Sequence, residues 1–378
     1  MSPASKWTVR RVKQSLAARS AQRPNLAGAF TTASSNAITA VHPTDLEAML
    51  NRTPQPFDLE TSLAFPTSQD ITDAATTCHA ESGVWPISFS YPKATLPVHA
   101  DRVELISSIR PGTAYAFDNE QAYMRAYANA SYSITHRKAG WDCFRHVEIL
   151  ASGSLPLMVD AHEIPQHCLV HYPKQAMRGI LDHFLISGDR APSWIEDAFR
   201  EHFESHLTST AMAQYLLKAS GLENAGNVLF VDAQLPLSPD YQSVLTLIGL
   251  KQLLGARCRA FYPTPYVYED FKDALSLYGR GFGYTRAVSL SARPSSERQQ
   301  SSRALSTLLR SGGFDAVIIG SIARNASLAM RILEMFPPEQ TVWIHGEDSP
   351  PSDVTMEILR TSGTHAFVRA VPDSSAPA

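Results

Sequence analysis

The sequence predicts an α/β protein made of two units, each built on a parallel sheet, behind a basic amino-terminal extension. Three observations carry this expectation. From about residue 87 onward, strand-like apolar runs alternate with segments of helical spacing. Several runs, among them Val228-Leu229-Phe230-Val231 and Val317-Ile318-Ile319, are apolar at every position, as strands buried on both faces must be. The length of 378 residues, with 44% hydrophobic and 18% charged side chains, is enough for two ordinary cores. The expected boundaries are 1–86 for a basic, partly disordered extension, 87–220 for the first unit and 227–371 for the second.

In the extension, Lys6, Arg10, Arg11, Lys13, Arg19 and Arg23 precede the first acidic residue, Asp45. Trp7, Val9, Val12 and Leu16 add a weak apolar stripe, and Thr44 is placed to cap a short helix to Leu50. A solvated arm is one reading. Contact of residues 1–30 with a polyanion or a membrane surface is another, and a transit peptide is a third. The formal net charge of −3 argues against wholesale coating of nucleic acid. Cys78, Cys143, Cys168 and Cys258 are scattered without a C-x-x-C pair, which fits reduced thiols in a cytoplasmic protein. No apolar run reaches membrane-spanning length, so no transmembrane segment is expected.

In the first unit, Arg102 to Ile109 reads as a strand, Pro111-Gly112 as a turn and Glu120 to Ala128 as a helix. The stretch from Thr135 to Gly153 is the most informative of the chain. It follows an apolar run ending at Ile134 and turns at Gly140. Phe144, Val147 and Leu150 then recur at i, i+3 and i+6, so they can share one buried helix face. Gly153 is placed to stop that helix, and Leu155 to Asp160 reads as a buried strand. Arg137, Lys138, Arg145 and His146 crowd the loop and first turns, where the helix N-terminus already favours a phosphate. Arg145 and Glu148, three apart, are neighbours on the helix surface. They can be a plain surface pair, or they can hold a phosphate and a ribose diol. The cationic loop and the Gly153-x-x-Pro156 exit favour the ligand.

The run Gly140-Trp141-Asp142-Cys143-x-Arg145-His146-x-Glu148-Ile149-Leu150-Ala151-x-Gly153-x-x-Pro156 resembles the donor-site block of GT-B glycosyltransferases related to the exostosin type. Phe117-Asp118-x-Glu120-x-x-Tyr123, Ile164-Pro165 and Tyr172-Pro173-Lys174 are similar to flanking family segments. The resemblance implies two Rossmann-like domains facing a cleft and a nucleotide-sugar donor bound by Arg137, Lys138, Gly140, Trp141, Asp142, Arg145, His146, Glu148 and Lys174. It requires no cofactor and no metal. No His/Cys cluster has ligand spacing, and Glu347-Asp348 is not an Asp-x-Asp motif.

Two helices follow, about Trp194 to Leu207 capped by Ser193, and about Ala211 to Ala219 capped by Thr208 or Ser209 and ended by Gly221. The second unit then runs as a strand at 227–232, a helix from Val244 to Leu254, and strands at 259–262, 314–321 and 341–348. Tyr278-Gly279-Arg280-Gly281-Phe282-Gly283 is a glycine-rich turn and not a dinucleotide fingerprint. This half resembles the family's amino-terminal domain, which normally comes first, so the order is circularly permuted under this reading. The permutation places the first strand of the second sheet near Asn227 and Val371 close to Ile87. On the acceptor side, Asp240, Glu347 and Asp348 are the candidate catalytic carboxylates, with Tyr241, Arg280, Gly281 and Ser321 lining the cleft. Ser238-Pro239-Asp240 is also a common helix start, so Asp240 can equally be a cap. A retaining enzyme needs no such base. The expected activity is sugar transfer from a nucleotide sugar to an unidentified acceptor, with DNA or another polyanion as an alternative acceptor class. A sugar-nucleotide binding protein or epimerase on the same scaffold is the alternative function.

Overall fold

The computed structural model describes residues 63–92, 102–111, 117–295, 297 and 302–372. The candidate helix from Thr44 to Leu50, the basic residues up to Arg23 and the Pro111-Gly112 turn's second residue lie outside them. The chain opens with α1 (Ser68–Ser82), β1 (Trp85–Pro86), β2 (Glu104–Ile106), α2 (Glu120–Ala128), β3 (Ala130–Thr135), α3 (Phe144–Ala151) and β4 (Leu155–Met158). Three helices follow, α4 (Lys174–Ser187), α5 (Ser193–His206) and α6 (Ser209–Ala219). The rest comprises β5 (Val228–Val231), α7 (Tyr241–Leu254), β6 (Cys258–Ala260), α8 (Ser302–Arg310), β7 (Ala316–Ile319), α9 (Ile322–Leu333), β8 (Thr341–His345), α10 (Asp353–Thr361) and β9 (His365–Val368).

Two parallel sheets result. One has six strands in the order β1-β9-β8-β7-β5-β6, the other three in the order β2-β3-β4. The fold is therefore α/β and Rossmann-like in both sheets. Side chains split by the period of two that a strand imposes. Val228, Phe230, Ile318, Val342, Ile344 and Phe367 join a core that continues through α6 and α7 to the three-stranded sheet. Leu229, Val231, Val317, Ile319, Trp343 and Val368 join a second core under α1, α9 and α10 on the opposite face.

The six-stranded sheet begins earlier in the chain than the expected boundary at 87. Thr67 and Asp70 form a capping box at the start of α1, and Gly83 closes the helix in the left-handed region. β1 then adds to the sheet edge, with Trp85 opposite Phe367 and Pro86 opposite Val368. The Ile87 N–H donates to the Val368 carbonyl at 3.1 Å, so the chain near Val371 lies beside Ile87, and β5 starts at Val228. Other expectations shift more modestly. α5 starts at Ser193 after Pro192, with no side-chain cap, so Ser193 is its first residue and not its cap. Thr208 does cap α6 through the Ala211 N–H. α7 begins at Tyr241, three residues before Val244. β2 is shorter than 102–109, and α4 and β9 had no place in the sequence reading.

The two sheets meet at their carboxyl ends. Arg369, immediately after β9 and 3% exposed, lies over the Phe89 ring at 4.0 Å. Its guanidinium donates to the Gly346 carbonyl at 2.7 and 3.1 Å, to Asp348 Oδ1 at 2.6 Å, and to the Asp142 carbonyl in the loop before α3. Beside it, Gly140 packs so closely on Asp348 that a Cβ would stand 2.5 Å from the Asp348 carbonyl oxygen. Replacing Arg369 by Met deletes the buried charge and strands the Gly346 and Asp142 carbonyls. The expected cost is about 1–3 kcal/mol of unfolding free energy for each stranded carbonyl, read from the urea midpoint at unchanged slope.

Candidate functional site

The first side of the seam is the loop between β3 and α3. Every residue of β3 is buried, so its last residue, Thr135, delivers the chain to a fixed point. Asp160, just beyond β4, accepts the Arg137 N–H at 2.9 Å, and the Arg137 guanidinium lies 4.9 Å from the Trp141 ring centre. His146 pins the loop from beneath. Its Nε2 faces the Trp141 carbonyl at 3.1 Å, and a carbonyl can only accept, so Nε2 carries the proton. Nδ1 then accepts from the Thr135 hydroxyl at 2.8 Å. Burial, with Arg145 nearby, pushes the imidazole down to about 3, so it stays neutral.

Several expected donor contacts are thus engaged inside the fold. His146 is fully buried. Lys174 spends its ammonium on the carbonyls of Pro165, Gln166 and Cys168, at 3.3, 2.8 and 3.1 Å. Asp142 accepts the Phe89 N–H at 2.7 Å and the Tyr172 hydroxyl at 3.3 Å, and burial raises its carboxyl to about 6. The cationic groups left nearer solvent are Arg137 and Lys138, which are exposed, and Arg145, which is half-buried.

α3 is buried on almost every side, not on the single Phe144, Val147 and Leu150 face that its spacing suggests. Glu148 points inward, where its Oε2 accepts the Tyr123 hydroxyl at 2.9 Å, and Tyr123 meets the Tyr127 hydroxyl at 3.2 Å. Burial lifts the Glu148 carboxyl to about 7, against the pull of Tyr123 and Arg145. The Nε of Arg145 is buried and has no hydrogen-bond partner among the described residues. The pair is adjacent, as the spacing implies, but the carboxylate faces the tyrosines of α2 and not solvent.

The second side is the carboxyl edge of the six-stranded sheet. Asp240 caps α7, accepting the Ser243 N–H at 2.8 Å through Oδ1, which bears out the helix-start reading. Its Oδ2 stands 3.9 Å from Arg324 Nη1, and the side chain is a quarter exposed. Burial raises this carboxyl to about 6. Tyr241 stacks on Phe144 with ring centres 4.3 Å apart, which sets the first residue of α7 on the first residue of α3. The Tyr241 hydroxyl fills the place of a Cβ at Gly279, which lies at φ +58°, so that position needs glycine on both counts. Arg280 also takes a left-handed φ of 58° and reaches across to the Phe117 carbonyl at 2.8 Å and to Asp118 at 3.0 Å. Gly281 continues this turn, packed on the Ala274 carbonyl. Ser321 precedes α9 and is buried. Glu347 is exposed, and Asp348 is ion-paired to Arg369.

Four residues outside the sequence-derived set join this side. Asp232, at the end of β5 and 2% exposed, accepts the Ser243 hydroxyl at 2.6 Å, the Asn325 amide at 2.8 Å and the Gln234 N–H at 3.0 Å. Arg324 donates through Nη2 to the Ser238 carbonyl at 2.7 Å, and the same nitrogen stands 4.0 Å from Asp232. The chain leaves β5 toward β6 on one side and returns to β7 on the other, so this group sits at the point where the strand order reverses. Ligands of open α/β sheets collect there. Asp232 closing a Val-Leu-Phe-Val strand was the signal available in the sequence. Arg324 and Asn325 had none, because their position follows from the order of the strands.

No protein-family model matches this chain, and neither does any curated protein or solved structure. Among the described residues, no group of three or more His, Cys, Asp or Glu side chains is arranged to hold a metal ion, and no helix is long and apolar enough to cross a membrane.

The pH response of Glu148 follows from its burial. Its folded carboxyl titrates above the unfolded one, so the stabilisation it adds is full below the unfolded value and is lost as pH rises through about 7. Glu148→Gln keeps a neutral group at the Tyr123 hydroxyl at every pH. The variant and the parent should therefore unfold at similar urea concentrations at pH 4. At pH 8.5 the variant should be the more stable, by about 1.4 kcal/mol for every tenfold difference in proton affinity between the folded and unfolded carboxyl.

Proposed function

We propose that the chain is a glycosyltransferase of GT-B layout that moves a sugar from a nucleotide-sugar donor to a hydroxyl acceptor. One observation carries the reading: the carboxyl ends of two parallel sheets face each other across a seam, with a cationic loop and helix start on one side and Asp240 on the other. Ligands of such sheets gather at those ends. Arg137, Lys138 and Arg145, with the N-terminus of α3, are the groups suited to the donor diphosphate. In an inverting transfer, the acceptor oxygen bonds to the anomeric carbon, whose bond to the diphosphate oxygen breaks. The electron pair leaves with the diphosphate, and Asp240 takes the proton of the acceptor hydroxyl. Asp240 suits that role better than Asp348, whose carboxylate is engaged by Arg369.

The acceptor side carries Asp232, Asp240 and Glu347 against Arg324. That balance favours an uncharged or cationic polyol over a polyanion at the reacting position. The pairing of β1 with β9 and the start of the sheet's first full strand at Val228 support a circularly permuted order, in which the second unit corresponds to the family's first. A cytoplasmic location remains part of this proposal, on the strength of four free thiols.

The test is calorimetric titration with a panel of nucleotide sugars, followed by transfer assays on sugar acceptors. Arg145→Ala should weaken donor binding roughly ten- to a hundredfold, the loss of one charge-assisted contact. Asp240→Asn should abolish transfer while leaving donor affinity in place. Failure of every nucleotide sugar to bind, or equal affinity in Arg145→Ala, overturns the donor site. Full transfer by Asp240→Asn overturns the base.

A further inference from the structure

The turn from β5 into α7 and the start of α9 gather three charged side chains, two of them linked through one serine. Ser243, in the first turn of α7, donates its backbone N–H to Asp240 Oδ1 at 2.8 Å and its hydroxyl to Asp232 Oδ2 at 2.6 Å. The two carboxylates are thus held on the two donors of a single residue. Arg324 stands on their other side, 3.9 Å from Asp240 Oδ2 and 4.0 Å from Asp232 Oδ1, and is anchored by the Ser238 carbonyl at 2.7 Å. Asn325, the next residue, donates its amide to the same Asp232 oxygen at 2.8 Å and through its own Oδ1 accepts the Ala233 N–H at 2.9 Å. Asp232 is buried with three hydrogen bonds, whereas Asp240 keeps one oxygen toward Arg324 and a quarter of its side chain exposed. The buried carboxylate is held from all sides. The exposed one is held at one oxygen and free to act at the other.

We propose that Asp232 and Arg324 are positioning residues for Asp240: Asp232 fixes its place through Ser243, and the Arg324 guanidinium faces the oxygen left to accept the acceptor's proton. The assignment rests on the reading of Asp240 as the base, and it adds two residues that no sequence signal linked to it. Neither touches the reacting atoms. Arg324 acts by charge, and its distance of nearly 4 Å from both carboxylates lets Asp240 Oδ2 turn toward a hydroxyl without breaking a tight ion pair.

The charged and titratable groups that face Asp240 are Asp232 from the end of β5, Arg324 from α9, Glu347 from the end of β8, and Tyr266, whose hydroxyl donates to the Leu235 carbonyl at 2.8 Å. Among them, Arg324 lowers the midpoint of Asp240, and Asp232 and Glu347 raise it. Arg324 and Asp232 thus act on Asp240 in opposite directions, as their opposite charges require.

The experiment is a carboxyl-carbon NMR titration of the full chain, with the Asp240 signal assigned from its absence in Asp240→Asn. It is run on the parent, Arg324→Gln and Asp232→Asn, with Glu347→Gln as a fourth protein that changes only an exposed side chain. Arg324→Gln should raise the Asp240 midpoint by about one pH unit, the usual effect of losing an opposite charge at this range. Asp232→Asn and Glu347→Gln should lower it, the latter less because of solvent screening. The acid limb of transfer against pH should move in the same directions, with donor affinity unchanged. Unmoved midpoints, or shifts of one sign in all variants, overturn the proposal. If Asp232→Asn does not fold, the opposed shifts of Arg324→Gln and Glu347→Gln decide for the charge role of Arg324. Opposed NMR shifts in a protein that transfers no sugar would instead sink the proposed function and leave the three-residue unit standing.

Discussion

The buried guanidinium of Arg369 is the interaction on which the rest of the molecule depends. A desolvated charge is costly unless its hydrogen bonds are satisfied. Here they are met by Gly346, Asp348 and Asp142, with the Phe89 ring beneath. Two of these partners follow β8 and one lies in the loop between β3 and α3. The charge therefore cannot be satisfied unless the carboxyl ends of both sheets are brought to the same place. Gly140 completes the junction, since any side chain there would collide with the Asp348 backbone.

From that junction the rest of the seam follows. With the β3–α3 loop held against β8, Phe144 meets Tyr241, and the starts of α3 and α7 are set face to face. α7 is buried along most of its length and lies between the two sheets, so it cannot slide without disturbing the core they share. Arg280 spans the same seam from a left-handed backbone that a non-glycine residue adopts reluctantly, and its two contacts across to Phe117 and Asp118 compensate for that conformation.

Polar side chains near the seam divide by what they face. His146, Asp142 and Lys174 hold backbone groups in place. Arg137, Lys138 and Asp240 retain exposure. Glu148 and Arg145 form a third kind, neighbours on α3 of which Glu148 turns to the tyrosines of α2, where burial pushes its carboxyl up, and Arg145 keeps one guanidinium nitrogen unmatched among the described residues. The fold divides the residue types read from the sequence as a ligand site between solvent-facing groups and supports of the backbone.

Much of the architecture was set by local physics and was legible in the sequence. All-apolar runs favour buried strands, the glycine after the α3 pattern follows the end of that helix, and the Ser-Pro-Asp start does cap α7. The helix from Glu120 to Ala128 and the buried strand from Leu155 follow from spacing alone. Tertiary structure decided the remainder. Whether a cation or carboxylate faces solvent depends on which other element covers it, and sequence spacing carries no information on that. The edge position of β1 beside β9, the burial of α3 on almost every side, and the meeting of Asp232 and Arg324, 92 positions apart by their numbers, arise from strand order. That order is settled by the global packing of two cores, and no window of neighbouring residues records it.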